Sequence, residues 1–141
     1  MILIFGGAYQ GKTDFARKTF GLSNKDIFDC GELGCKDACA KDGKGSWKLC
    51  AEAREAKAIC GLEKAFLAFV KAGVEPKAFL AERKEQLKDK IMIINDISQG
   101  VVPVDPDLRA WREAVGRAML WMASESDQVY RVFCGMEQRL K

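Results

Sequence analysis

Ile2-Leu3-Ile4-Phe5 and Ile91-Met92-Ile93-Ile94 are short apolar runs without interruption. Short continuous apolar runs bounded by turn residues are the pattern of strands covered on both faces. Weaker strand patterns occupy Asp26-Ile27-Phe28-Asp29-Cys30 and Val129 to Cys134, the last strand expected in the chain. Between these runs the period changes to that of helices. Lys12 to Phe20 turns Phe15, Ala16 and Phe20 inward and stops at Gly21, and Leu62, Phe66, Phe69 and Val70 share a face ahead of Gly73. Pro76 opens a further helix, in which charges from Lys77 to Lys90 alternate in sign around Phe79, Leu80 and Leu87, as on a solvated face. Asp105-Pro106 is a helix start, with Asp as N-cap and Pro at the first helical position. Its stripe of Leu108, Trp111, Val115, Met119 and Met122 reads as core packing.

Two segments leave alternatives open. Ala51 to Ala58 favours helix, while Lys57 to Cys60 also fits a third strand. Residues 31–50 are rich in Gly, Lys, Asp and Cys, and from Gly31 to Lys48 no apolar period exists. That stretch reads as a long loop with at most one helical turn, of the length that in compact domains is functional or mobile. Strands alternating with helices of this length predict a mainly parallel sheet covered on both faces, hence one α/β domain over residues 1–141.

Composition narrows the classes. The chain has 141 residues, 48% of them apolar and 30% charged, which suits one folded domain and excludes wholesale disorder. No apolar run approaches the ~18 residues of a membrane span, and none is expected. The opening apolar run has no positive residues before it and meets Gly6-Gly7 at once, so no secretory signal is expected. The six cysteines, Cys30, Cys35, Cys39, Cys50, Cys60 and Cys134, are then expected to be reduced thiols in the cytoplasm. Twenty-three basic against 20 acidic residues are too balanced to argue for a nucleic-acid partner. Histidine is absent, which removes every imidazole base, nucleophile and metal ligand.

The chemistry concentrates in Gly6-Gly7-Ala8-Tyr9-Gln10-Gly11-Lys12-Thr13, which fits G-x-x-x-x-G-K-[ST] at every fixed position. Its glycines let the backbone curl so that N–H groups face phosphate oxygens, and the following helix adds its positive end. Lys12 would reach the β- and γ-phosphates of ATP or GTP, and the Thr13 hydroxyl would ligate Mg²⁺. The motif lies between a buried strand and a helix start, the context its mechanism requires. A phosphate loop also needs an acid at the end of a neighbouring strand. Asp96, after the second apolar run, is the first candidate for both metal and catalysis, and Asp29 the alternative. Cys30, Cys35, Cys39 and Cys50 are enough thiols for a tetrahedral zinc site, but their spacing is not C-x₂-C, so we expect no stoichiometric metal there.

These residues resemble a known family. The phosphate loop is similar to that of the bifunctional adenosylcobinamide kinase / adenosylcobinamide-phosphate guanylyltransferases. More specifically, Asn95-Asp96-Ile97-Ser98-Gln99-Gly100-Val101-Val102-Pro103 resembles that family's Asn-Glu-Val-Gly-x-Gly-(Ile/Val)-Val-Pro segment. Arg109-Ala110-Trp111-Arg112-Glu113 with Gly116-Arg117 resembles its Arg-x-Phe-Arg-Asp and Gly-Arg pattern, and Asp127 to Tyr130, Gly135 and Leu140-Lys141 its closing strand. The resemblance covers about half the chain. It implies a three-layer, RecA-like P-loop domain, a homotrimer, and work on the corrinoid adenosylcobinamide in cobalamin synthesis. The family phosphorylates the aminopropanol hydroxyl of that substrate, then transfers GMP from GTP through a GMP–histidine intermediate. Here the nucleophilic histidine has no counterpart, the family's Asp-Cys-Leu-Thr-Leu-Trp strand is reduced to Ile59-Cys60-Gly61-Leu62-Glu63, and Asp96 stands for the family's Glu. The expectation is therefore a kinase without guanylyl transfer, against a degenerate nucleotide-binding protein with a regulatory or partner-binding role. Of Arg109, Arg112 and Arg117, the choice lies between surface or trimer ion pairs and a phosphate contact.

Overall fold

The computed structural model describes residues 1–31, 39–41, 47–98 and 100–141. A six-stranded sheet is built from β1 (Ile2–Gly6), β2 (Ile27–Asp29), β5 (Ala58–Cys60), β6 (Ile91–Asn95), β7 (Gln128–Phe133) and β8 (Met136–Arg139), in the order β2-β5-β6-β1-β7-β8. All neighbours are parallel except β7 and β8. The two continuous apolar runs lie side by side at the centre, Ile2 opposite Ile91 and Phe5 opposite Ile94. Both faces are covered. Ile4, Ile93 and Val132 pack with Phe15 and Ala16 of α1 (Lys12–Phe20), while Leu3, Met92 and Ile94 pack with Phe66, Phe69, Val115 and Met122 on the other side. That opposite layer consists of α2 (Ala51–Glu55), α3 (Leu62–Lys71), α4 (Pro76–Ala81), α5 (Lys84–Leu87) and α6 (Pro106–Glu125). Alternate residues of each run thus serve different layers, which is why the runs show no polar alternation.

Several local expectations hold in detail. The Asp105 carboxylate accepts from the N–H groups of Asp107 (2.8 Å) and Leu108 (3.2 Å), capping α6 behind Pro106. Val115 and Met122 are fully buried beneath it. The Ala51–Cys60 segment divides into α2 and β5, so both alternatives are realised in succession. Among the described residues no helix is long and apolar enough to cross a membrane.

Three expectations are corrected. The helix from Pro76 is broken at Arg83 (φ −114°, ψ 17°), which lets Leu80 and Leu87 both reach the core. Arg83 itself donates to the Phe79 carbonyl (2.9 Å) and lies 4.0 Å over the Phe79 ring. The last strand is β8 rather than β7, because a turn at Cys134-Gly135 returns the chain antiparallel, Phe133 opposite Met136. β8 is exposed along its length, so no apolar alternation announces it. Within residues 31–48, β3 (Cys39–Lys41) pairs antiparallel with β4 (Trp47–Leu49), an arrangement carried by backbone hydrogen bonds and hence invisible to an apolar period. The rest of that stretch lies outside the described residues, as do Cys35 and the Cys39 side chain, on which the four-cysteine question depends.

The entry to β2 is polar. The Asp26 carboxylate accepts from Ser23 N–H (2.8 Å) and hydroxyl (2.5 Å), and Lys57, just ahead of β5, lies 2.9 Å away. The Ser23 hydroxyl first, then Lys57 and the Ser23 N–H, hold this carboxyl well below the usual carboxylate range. A depressed pKa contributes stability above the unfolded value near 4 and loses it as pH falls through the folded value. Asp26→Asn is accordingly expected to separate from the wild type most at neutral pH. In thermal melts between about pH 7 and pH 2, the gap should begin to narrow near pH 4 and go on narrowing as pH falls. A gap that is constant with pH would contradict this.

Candidate phosphate-loop site

At the carboxyl end of β1 the chain must turn beside β7. Gly6 has φ 155°, and a Cβ there would sit 2.2 Å from the Val132 carbonyl oxygen, so glycine is required by the approach of the next strand. The loop ends at Gly11, which is left-handed (φ 86°) and is the N-cap of α1. Gly11 has no side chain to cap the helix, so the first-turn N–H groups of α1 are presented to the space in front. Lys12 is buried at the start of α1 and its ammonium donates to the Gly7 carbonyl (2.5 Å), folding the loop over its own lysine. Burial lowers the Lys12 pKa, and the negative charge of Glu63 opposes that shift.

The space in front is a cleft of about 420 Å³, the size range of small-ligand sites. It is lined by Tyr9 to Asp14 from the loop and α1, and by Asp29, Cys60, Gly61, Glu63, Lys64 and Asn95 from the ends of β2, β5 and β6 and the start of α3. The carboxyl ends of adjacent parallel strands therefore meet two helix N-termini, those of α1 and α3, at one place. Ligands of open parallel sheets bind at such strand ends.

Glu63, like Lys64, is a charged cleft residue to which the sequence reading gives no role. Glu63 is 3% exposed, and its two oxygens accept from the Asn95 backbone N–H (3.1 Å) and side-chain amide (2.7 Å). Trp111 of α6 donates its indole N–H to the Glu63 carbonyl (2.6 Å), fixing the first turn of α3 against the long helix. A Glu in the first turn of an amphipathic helix looks like a solvated residue. The available signal was Gly61 directly after a buried strand, a second strand–glycine–helix step like that of the phosphate loop.

The expected acids separate. Asp29 lines the cleft, its Oδ1 accepting from Gly31 N–H (2.7 Å). Asp96 does not line it. Its backbone N–H donates to Gly6 O (2.9 Å), but its carboxylate accepts from the Ser98 N–H (2.9 Å) and hydroxyl, and it borders a different groove beside Leu3, Phe5 and α6. The side chain after Asn95 points to the opposite face of the sheet, so the strand end that brings Asn95 to the cleft carries Asp96 away. Of the loop residues, Tyr9, Gln10, Gly11, Lys12 and Thr13 line the cleft, Gly6 and Gly7 shape the turn behind them, and Ala8 is exposed on the loop.

None of the three arginines lines the cleft. Arg112 donates to the carbonyls of Ser98, Gly100 (3.2 Å) and Val101 (3.1 Å), and Arg109 to those of Pro103 (3.1 Å) and Val104 (2.5 Å). Together they tie the 98–104 segment to α6. Arg117 pairs with Glu75 (3.0 Å) and, more distantly, Glu113 (3.7 Å).

A mainly parallel sheet, a glycine-turned loop and an anion-facing helix with a buried lysine define an α/β domain of the P-loop class. The C-terminal part of the chain specifies it further. A family model described as cobinamide kinase / cobinamide phosphate guanyltransferase matches residues 55–140, more than half of the chain, and the protein belongs to that family. The comparison with curated proteins returns no match. The family match starts after the phosphate loop, so the loop and the match are independent observations.

Proposed function

We propose that the protein is a nucleoside-triphosphate-dependent adenosylcobinamide kinase that does not carry out guanylyl transfer through a covalent enzyme intermediate. The observation that carries this reading is the convergence of Lys12, Thr13 and the Asp29 carboxylate on one cleft. The triphosphate would lie along the loop N–H groups and the start of α1, where Lys12 neutralises charge on the transferred phosphoryl group. The Thr13 hydroxyl and Asp29 carboxylate are hard oxygen donors of the kind Mg²⁺ takes, and they would hold it. When bound, that ion draws charge from the β- and γ-phosphate oxygens.

Asp29 takes the role expected of Asp96, because Asp29 faces the cleft and Asp96 is turned to Ser98. The substrate hydroxyl oxygen bonds to the γ-phosphorus, the bond to the bridging oxygen breaks, and the nucleoside diphosphate leaves. On this reading one Asp29 oxygen would hold the ion and the other would accept the hydroxyl proton. Glu63 is occupied at both oxygens by Asn95, so it orients that residue and balances the Lys12 charge. Catalysis on this plan is alignment and electrostatics, with no covalent enzyme intermediate.

Guanylyl transfer through the enzyme needs a nucleophile that bonds to phosphorus and departs near neutral pH, the role of imidazole in the family. No histidine exists to provide it. Lysine could substitute only with a depressed pKa. The loop lysines Lys36 and Lys44, and the side chains of Lys41 and Lys48, lie outside the described residues. The homotrimer, the corrinoid substrate and the cytoplasmic location implied by the resemblance belong to this same reading.

The test uses two labels. With γ-labelled ATP or GTP, phosphate is expected to appear on adenosylcobinamide. With α-labelled GTP, intact-mass analysis after denaturation is expected to show no added GMP. Acid-labile GMP on the protein would refute the second part. Triphosphate binding without any transfer to adenosylcobinamide would favour the nucleotide-binding, non-catalytic alternative, which the missing histidine motivates.

A further inference from the structure

The phosphate loop does not stand by itself. At its fifth position Gln10 is held from both ends by the turn between β7 and β8. Its side-chain Oε1 accepts from the Cys134 backbone N–H (2.5 Å), and its own carbonyl accepts from the Gly135 N–H (3.0 Å). The contact is close, since a Cβ on Gly11 would meet the Gly135 Cα at 3.4 Å. The turn is shaped for this. Cys134 (φ 50°) and Gly135 (φ 76°) are both left-handed, the pattern of a tight two-residue hairpin whose N–H groups are turned outward, here toward the loop. Two residues before Cys134, the Val132 carbonyl limits residue 6, the loop's first glycine, to glycine. Strand β7 and its turn thus contact the loop at its first glycine, at Gln10 and at its last glycine, and hairpin partner β8 serves no core packing of its own, being exposed throughout.

We propose that the C-terminal hairpin is a brace for the phosphate loop, and that Gln10 is the positioning residue through which it acts. This rests on the reading that a nucleoside triphosphate binds the loop. In a P-loop the side chain at this position is not needed to touch phosphate, because the backbone N–H groups do so. A side chain spent on a main-chain donor more than 120 residues away instead restrains the curl of the loop before ligand arrives. Preorganisation of this kind raises affinity by lowering the ordering cost on binding. It also makes the coupling reciprocal: triphosphate in the loop must stiffen the hairpin by the same factor that the hairpin improves binding.

The experiment compares wild type, Gln10→Met, which keeps the length and removes the acceptor, and Gln10→Ala. Affinity for MgATP and MgGTP, melting temperature, and amide hydrogen exchange at residues 131–136 are measured on the full chain. Both variants are expected to bind triphosphate about five- to tenfold more weakly, the factor of one net hydrogen bond, with melting temperatures within about 3 °C of wild type. The Cys134 amide should exchange faster in both variants without ligand. Triphosphate should slow hairpin exchange markedly in wild type and much less in the variants. A purely structural contact would shift the melting temperature without this loss of coupling, and that outcome overturns the brace. So does unchanged affinity in both variants. If the wild type itself binds neither nucleotide, the triphosphate reading fails first and the brace fails with it. Normal wild-type binding with unaltered variants sinks the brace alone.

Discussion

Lys12→Ala is expected to weaken MgATP or MgGTP binding and to lower kcat/KM for phosphate transfer by roughly 100-fold or more, the loss of about 3 kcal/mol. Lys12 is the buried lysine of the cleft lining. It is buried under its own loop, held by the Gly7 carbonyl, and it balances Glu63. A charge-assisted contact to phosphate from such a site is desolvated and already positioned, so little of its strength is lost to screening or ordering. Removal also leaves Glu63 buried with only Asn95 to satisfy it, so the melting temperature is expected to fall as well. Affinities are therefore compared by titration at a temperature where both proteins are folded. Binding within twofold of wild type would show that the cleft is not a triphosphate site.

Gly6→Ala is expected to have the largest effect on stability. The new methyl would lie 2.2 Å from the Val132 carbonyl oxygen and 3.2 Å from its carbon, atoms of a paired central strand that cannot rotate away. The backbone at φ 155° adds its own penalty for a side chain. Overpacking and backbone strain each cost about 1–3 kcal/mol, so the sum is roughly 3–5 kcal/mol, or about 10–15 °C in melting temperature for a domain of this size. Relief requires β1 and β7 to part, which displaces the loop, so triphosphate affinity should fall with stability. Calorimetric melts and nucleotide titration check both. A melting temperature within about 2 °C of wild type would mean that the strands yield more easily than their pairing implies.

The family resemblance and the fold argue differently for the same conclusion. In the segment that resembles the family's, Arg112 donates to the carbonyls of Ser98, Gly100 and Val101, and Arg109 to that of Pro103. Those arginines are spaced to reach a loop, and neither lines the cleft. Of the departures, the Ile59 to Glu63 stretch borders the cleft and Asp96 is turned away from it. Where the family carries an aspartate-bearing strand, this chain has Ala58 to Cys60 followed by Gly61, and it brings in a glutamate from the next helix turn. Glu63 thus sets a carboxylate close enough to act on Lys12 from the first turn of α3.

Much of this protein follows from local sequence. The two continuous apolar runs become the central strands, because only residues apolar on both sides can sit between two helical layers. The phosphate loop, α1 with its Gly21 stop, and the Asp105-Pro106 start of α6 follow from short-range rules about glycine, capping and proline, and each occupies its expected residues. What only the tertiary structure decided depends on which side of an element faces which neighbour. Asp96 and Asp29 are both acids after strands, yet the pleat turns one toward Ser98 and the other into the cleft. Glu63 looks solvated in sequence and becomes buried because β6 brings Asn95 to it. β8 has no apolar signal and exists because β7 offers an edge to pair with. The grip of Cys134 and Gly135 on Gln10 joins residues more than 120 positions apart, a contact that no window along the chain contains. Periodicity records which residues leave water, and the register of strands decides what they then meet.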